Sequence, residues 1–227
     1  MIVPPPDIVA RRIGREGQPV AIVDGLTEDP HALRDAACAA AFGPAGAHYP
    51  GIRADLPPDY LPGIRDVVAL VLDRIFGLRR SARVLDASFS MVTCSPDALT
   101  VEQRMPHIDA TMPGRIAMVH YLSPANPGGT AFYRHCATGL ETIGPDQASA
   151  YLAIVGREVR SNGPPPARYP GPDDAQFTQI DAVAAQFNRA IFYRSALLHS
   201  GAIDDRYPLS VDPATGRLTV TAFFDAD

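Results

Sequence analysis

His107-Ile108-Asp109-Ala110-Thr111-Met112-Pro113-Gly114-Arg115-Ile116-Ala117-Met118-Val119-His120-Tyr121-Leu122 sets an imidazole and a carboxylate two residues apart, then a turn, then an apolar run of strand length. Side chains alternate faces along a strand, so His107 and Asp109 project to the same side. Taken alone, the pair reads as a strand histidine bonded to Asp109 sooner than as a pair of metal ligands. A second imidazole from a distant strand would change that reading. Two histidines and a carboxylate on one face leave coordination positions open and suit non-haem Fe(II). Ala196-Leu197-Leu198-His199-Ser200-Gly201 offers such an imidazole.

Around this stretch, strand-like segments dominate after Gly77: 83–94, 99–109, 115–122, 130–135, 149–155, 190–198 and 218–224. Residues 162–174 are proline-rich and read as a surface loop, and 175–187 fits a strand or a helix equally. Before Gly77, Asp29-Pro30 reads as an N-cap with proline at the first helical position, opening a helix over 31–42. A second helix runs from about 58 or 62 to 76, with Ile64, Val67, Val68, Val71, Leu72 and Ile75 at helical spacing and Gly77 as its stop. Residues 19–23 form a short strand candidate, and the opening prolines an extended arm. The expectation is one α+β domain over 1–227, helical in 1–80 and strand-rich in 81–227, its strands forming a sandwich, a barrel or a jelly roll.

The 227 residues, 46% of them hydrophobic, suffice for a sizeable core. Twenty-three prolines favour short elements over long helices. The net charge is −5 and every basic residue is arginine, so there is no basic run for nucleic acid and no lysine for Schiff-base or P-loop chemistry. The longest plainly apolar run, Val67 to Leu72, is far short of a membrane span. Met-Ile-Val-Pro-Pro-Pro-Asp lacks the features of a signal peptide, and Cys38, Cys94 and Cys136, odd in number and far apart, read as reduced thiols. The expected location is the cytoplasm. No G-x-S-x-G surrounds Ser200 and no G-x-G-x-x-G follows a strand, which argues against a hydrolase elbow and a dinucleotide site.

The order His107-Ile108-Asp109, a strand ending in Tyr121-Leu122, Gly128-Gly129-Thr130-Ala131-Phe132, His199, then Arg217 before a final strand resembles the 2-oxoglutarate/Fe(II)-dependent oxygenase superfamily in its prolyl-4-hydroxylase-like branch. Ala21-Ile22-Val23-Asp24-Gly25-Leu26 is similar to the strand and turn that open that branch, and the resemblance covers roughly 20–225. It implies a double-stranded β-helix (jelly-roll) core with two N-terminal buttressing helices. His107, Asp109 and His199 would bind Fe(II). Arg217 would take the far carboxylate of 2-oxoglutarate, with Arg206 as a second candidate, and its strand would run beside the one carrying His199. Tyr121 would either support a co-substrate carboxylate or simply pack. The implied reaction is hydroxylation of a small molecule or a peptide side chain. The rivals are a non-catalytic jelly-roll binding module and a cupin-like metalloprotein that does not use 2-oxoglutarate. No nucleic-acid or membrane partner is expected, and a homo-oligomer is open.

The remaining histidines read as bystanders. His120 faces away from Tyr121 and fits a core or surface place. His135 either lines the cavity with Tyr133 or sits at a strand end, and His31 and His48 read as solvated.

Overall fold

Alternation sorts the strand side chains into two apolar faces, and the chain buries both. The computed structural model describes residues 4–46, 48–78, 82–125, 128–172, 174–204 and 209–226. Its elements are β1 (Asp7–Ile13), β2 (Gln18–Asp24), α1 (Pro30–Ala39), β3 (Gly43–Pro44), β4 (Gly51–Ala54), α2 (Tyr60–Arg74), β5 (Arg83–Val92), β6 (Arg115–Tyr121), β7 (Gly129–His135), α3 (Pro145–Asn162), β8 (Phe177–Ala184), β9 (Arg189–Arg194), β10 (His199–Ala202) and β11 (Leu218–Asp225). Two antiparallel sheets result, one ordered β1-β2-β9-β6-β11-β5-β4-β3 and the other β10-β7-β8.

The register fixes what each face touches. On the large sheet, Phe89, Met91, Ile116, Met118, Phe192, Val220 and Ala222 lie under α1 and α2 and meet Leu33, Ile64, Val68, Val71 and Leu72. Burying each of these side chains other than Ala222 contributes about 1.5–3 kcal/mol. The alternate residues Ala117, Tyr121, Ile191 and Tyr193 point the other way and meet Phe132, Val183 and Leu197 between the sheets. On the outer face of the small sheet, α3 sets Tyr151 and Val155 against Ala131, Tyr133, Phe177 and Leu198. The layers are thus helix, sheet, sheet, helix, with the two sheets face to face as in a jelly roll.

Local chemistry explains the helix ends. Asp29 Oδ1 accepts from Ala32 N at 2.9 Å and Pro30 occupies the first turn of α1. Past α2, Gly77 at φ +70° turns the chain so that Leu78 N donates to Leu72 O at 2.9 Å.

The structure corrects several sequence expectations. Residues 149–155 are not a strand but part of α3. Tyr151, Val155 and Glu158 share one helical face there, Pro145 opens the helix, and the Gln147 side chain accepts from Gly144 N. Residues 99–109 are a 3-10 turn and a loop that pairs with a strand only at His107, because Pro106 has no N–H for a ladder and Glu102, Gln103 and Arg104 are not core residues. The 1–80 part is not only helical, since β1 to β4 add both outer margins to the large sheet. The open stretch 175–187 contains strand β8. Finally, β11 does not run beside β10: it lies between β6 and β5 in the facing sheet, while β10 pairs with β7. The apolar side of β11 accordingly faces the helices.

Candidate metal centre

After Pro106 the chain comes out extended at His107. This residue pairs with His199, the first residue of β10, across an isolated bridge in which each N–H donates to the other's carbonyl at 2.9 Å. Two residues on, Asp109 N donates to Ser195 O at 2.8 Å. The spacing turns the carboxylate to the side of the His107 ring, as alternation requires. The two imidazole centroids are 4.5 Å apart. Asp109 Oδ2 is 3.4 Å from His199 Nε2, and Oδ1 is 3.9 Å from His107 Nε2. One donor atom from each of the three lies within 4.8 Å of the others.

Neither carboxylate contact is short enough for a good hydrogen bond, so Asp109 does not anchor His107 in the way an ordinary strand pair would. His199 Nδ1 donates instead to Leu197 O at 2.8 Å, which leaves the Nε2 lone pair facing Asp109. The His107 side chain is about half open, 53%, but it opens into a cavity walled by protein. Loss of water there pushes His107 down to about 4, with His199 adding to the effect and Asp109 opposing it. Burial likewise takes His199 down to about 4 against its bond to Leu197. Asp109 is pushed up to about 6 by burial, against the pull of His107 and Arg53. Near neutral pH, two uncharged imidazoles and a carboxylate therefore aim lone pairs at one region, an arrangement that a divalent cation would relieve.

The cavity holding them measures about 730 Å³ and lies between the sheets. Ala117, Val119, Thr219, Thr221 and Phe223 form its large-sheet wall, and Thr130, His199, Ser200 and Gly201 its small-sheet wall. Arg217 immediately precedes β11 and lines the same space. Its Nη2 donates to Gly129 O at 2.8 Å and lies 3.9 Å from where a Cβ on Gly201 would stand. Gly201 is two residues past His199 on the same face of β10, roughly 7 Å along the strand. The glycine pair of the motif has a steric reason: a side chain on Gly128 would strike Ala202 O, and one on Gly129 would strike Val183 O.

Tyr121 lies in the cluster between the sheets. It is buried beneath Arg217, whose guanidinium lies 6.0 Å from its ring, and its hydroxyl is hydrogen-bonded to Thr130 Oγ1 at 2.8 Å. Burial pushes it up to about 12, with Arg217 pulling the other way. Arg206 lies outside the described residues. His120 is in the core on the helix side, between Tyr60 Oη and Asn188 Oδ1, each 3.0 Å away. His135 is not on the lining of this cavity. It is buried under α3, with Nε2 2.8 Å from Glu158 and Nδ1 2.9 Å from Thr138. Tyr133 is buried in that same layer.

Sequence reasoning missed Tyr193 and Tyr49. Tyr193 tilts against His199 with centroids 4.6 Å apart, and its place on the Ile191 face of β9, opposite to Phe192, was the signal that would have found it. Tyr49 sits in a loop with Arg53 over its ring. Its hydroxyl is close to Thr219 and Ser90 but makes no hydrogen bond of good geometry. Nothing in the sequence marks it.

No curated protein matches the sequence. Among solved structures, HygX from Streptomyces hygroscopicus, crystallised with nickel, 2-oxoglutarate and hygromycin B, is similar with a TM-score of 0.54 and 12% identity, over 91% of this chain and 82% of that one. AviO1 from Streptomyces viridochromogenes Tue57 gives 0.48 and 14%, over 95% and 90%. EctD from S. alaskensis with bound Fe gives 0.46 and 12%, over 97% and 84%. At this identity the likeness to HygX is one of fold. The sequence profile of a family of unknown function matches residues 4–224, and the chain belongs to that family, DUF6445.

Proposed function

We propose that the protein is a non-haem Fe(II)- and 2-oxoglutarate-dependent oxygenase that hydroxylates a small molecule or a peptide side chain. The observation that carries this is the pairing, in one cavity, of the His107–Asp109–His199 cluster with Arg217 about two strand residues beyond it. The motif order shared with the prolyl-4-hydroxylase-like branch and the HygX-like fold support the same reading.

The residues present fit both groups. Two imidazoles and one carboxylate are the donor set of non-haem Fe(II) sites with open positions. Beyond them, Arg217 Nε and Tyr49 Oη are buried without a hydrogen-bond partner among the described residues. Two unmatched donors beside one cavity suit a carboxylate, which accepts several hydrogen bonds. When bound, iron and 2-oxoglutarate would supply the oxidising chemistry, reduction of dioxygen coupled to decarboxylation of the co-substrate.

The chain's own part is positional. His107, Asp109 and His199 would hold the metal, and the Nδ1–H bond to Leu197 fixes which His199 nitrogen faces it. Arg217, held by Gly129 O over the Tyr121 ring, would orient the far carboxylate. Phe223, Val119 and Ala117 make part of the large-sheet wall apolar and limit water there.

Melting curves test this. Nickel and 2-oxoglutarate together should raise the melting temperature more than the sum of their separate effects, by mass action on the native state. Arg217→Ala should weaken 2-oxoglutarate by about 1.5–3 kcal/mol in calorimetry, with nickel affinity kept. Metal uptake with indifference to 2-oxoglutarate would point to the cupin-like reading. Uptake of neither would leave a binding module.

A further inference from the structure

We propose that the site accepts a small molecule with an apolar body and a cationic amine, and that Glu102 is the residue that selects for the charge. This rests on the oxygenase reading, which assigns the inner end of the cavity to metal and co-substrate.

Size comes first. A cavity of about 730 Å³ falls in the range that encloses drug-sized ligands, and a small dicarboxylate fills a minor part of it. Three loops close its outer side and are tied together. Pro50 O accepts from Thr93 N and Cys94 N, each at 3.1 Å. Tyr169 Oη donates to Cys94 O at 2.7 Å. Arg104 Nη1 donates to Pro165 O at 3.4 Å, while its Nε and Nη2 hold Leu99 O. The strap over 163–172 is anchored by buried Pro165 and Pro170, and it turns Tyr169 and Pro170 toward the cavity. The loops so joined line the same cavity as the metal centre, and its size suits a small molecule.

Charge comes second. Among the described residues, the carboxylates and guanidinium groups lining the cavity belong to Asp109, Arg217 and Glu102. The first two belong to the inner end. Glu102 is left, solvent-exposed on the lining, and it pairs with no arginine among the described residues. The backbone at Glu102 and the Thr100 hydroxyl hold its carboxyl below the usual glutamate range, which favours the ionised form. His48, also on the lining, is within electrostatic reach of it. The rest of the lining includes the apolar and aromatic side chains Val92, Pro50, Ile203 and Tyr169, and an aromatic face tolerates a cation. Such a pocket disfavours a phosphate or carboxylate substrate and favours an ammonium group on a carbon skeleton.

The test uses protein loaded with nickel and 2-oxoglutarate, titrated calorimetrically with cyclohexylmethylamine, cyclohexylmethanol and cyclohexanecarboxylate. The amine should bind up to about five-fold tighter than the alcohol, the upper end of what a solvent-exposed ion pair is worth. The carboxylate should bind weakest. Glu102→Gln should bring the amine to the level of the alcohol, with nickel and 2-oxoglutarate affinities unchanged. Equal binding of amine and alcohol, no binding of either, preference for the carboxylate, or an amine preference that survives Glu102→Gln would overturn the proposal while leaving the oxygenase reading intact. A protein that loads neither nickel nor 2-oxoglutarate would overturn both.

Discussion

At the scale of single residues, the three candidate ligands differ in what they must give up to bind a cation. His107 and His199, held near 4, are already neutral above pH 5, so they release no proton. Asp109, pushed up to about 6, still carries its proton below that pH. Loading therefore expels one proton below about pH 6 and none well above it. Apparent nickel affinity should be flat from pH 7 to 8 and should fall about ten-fold per unit below 6, as calorimetry across that range would show. A steeper fall that begins nearer pH 7 would mean that the histidines titrate at ordinary values. The triad was legible in the sequence because a two-residue spacing and a strand histidine are local patterns, and the resemblance joined them. Tyr49, Glu102 and Tyr169 were not, because they come from loops, where no period ties a side chain to a face.

At the scale of elements, legibility followed periodicity. The apolar positions of α2 keep a helical period without interruption, and Leu72 is buried against the large sheet as that period requires. Leu72→Ala should cost about 2–5 kcal/mol in urea denaturation, the usual range for a truncated core leucine. A cost below 1 kcal/mol would show that the helices only rest on the sheet. By contrast, Tyr151-Leu152-Ala153-Ile154-Val155 satisfies a strand template as well as a helical one. What decides it is Tyr151 and Val155 facing the core while Leu152 is left 66% exposed, a contrast visible only once α3 is seated. Strand β11 was placed correctly in sequence, and its polar face does line the cavity, but its neighbours were misjudged. Which strand lies beside which is set by long-range pairing, and no local pattern encodes it.

At the scale of the whole molecule, Glu141 stitches the hairpin at one margin of the large sheet to the small-sheet side. Its buried carboxylate accepts from Arg15 N and Glu16 N, each at 3.0 Å, and from Arg134 Nε at 2.8 Å. Gly14 lacks the Cβ that would collide with it. Glu141→Ala leaves Arg134 and two backbone N–H groups without their partner. It should destabilise the protein by about 3–5 kcal/mol in chemical unfolding, with nickel affinity of the folded protein unchanged. A loss of metal uptake at full stability would instead tie this stitch to the cavity.

The bridge between His107 and His199 has a further consequence. It is a single rung with no ladder on either side, so the loop carrying His107 and the start of β10 part whenever those two N–H···O bonds open together. An ion held by both rings would clamp the same rung from the side-chain direction. The amide protons of His107 and His199 should then trade with deuterated solvent quickly in metal-free protein and slowly once nickel is added, while amides in the middle of β11 stay equally protected in both states. Exchange mass spectrometry on the peptides spanning 105–110 and 197–202 would make the backbone report on what the side chains hold.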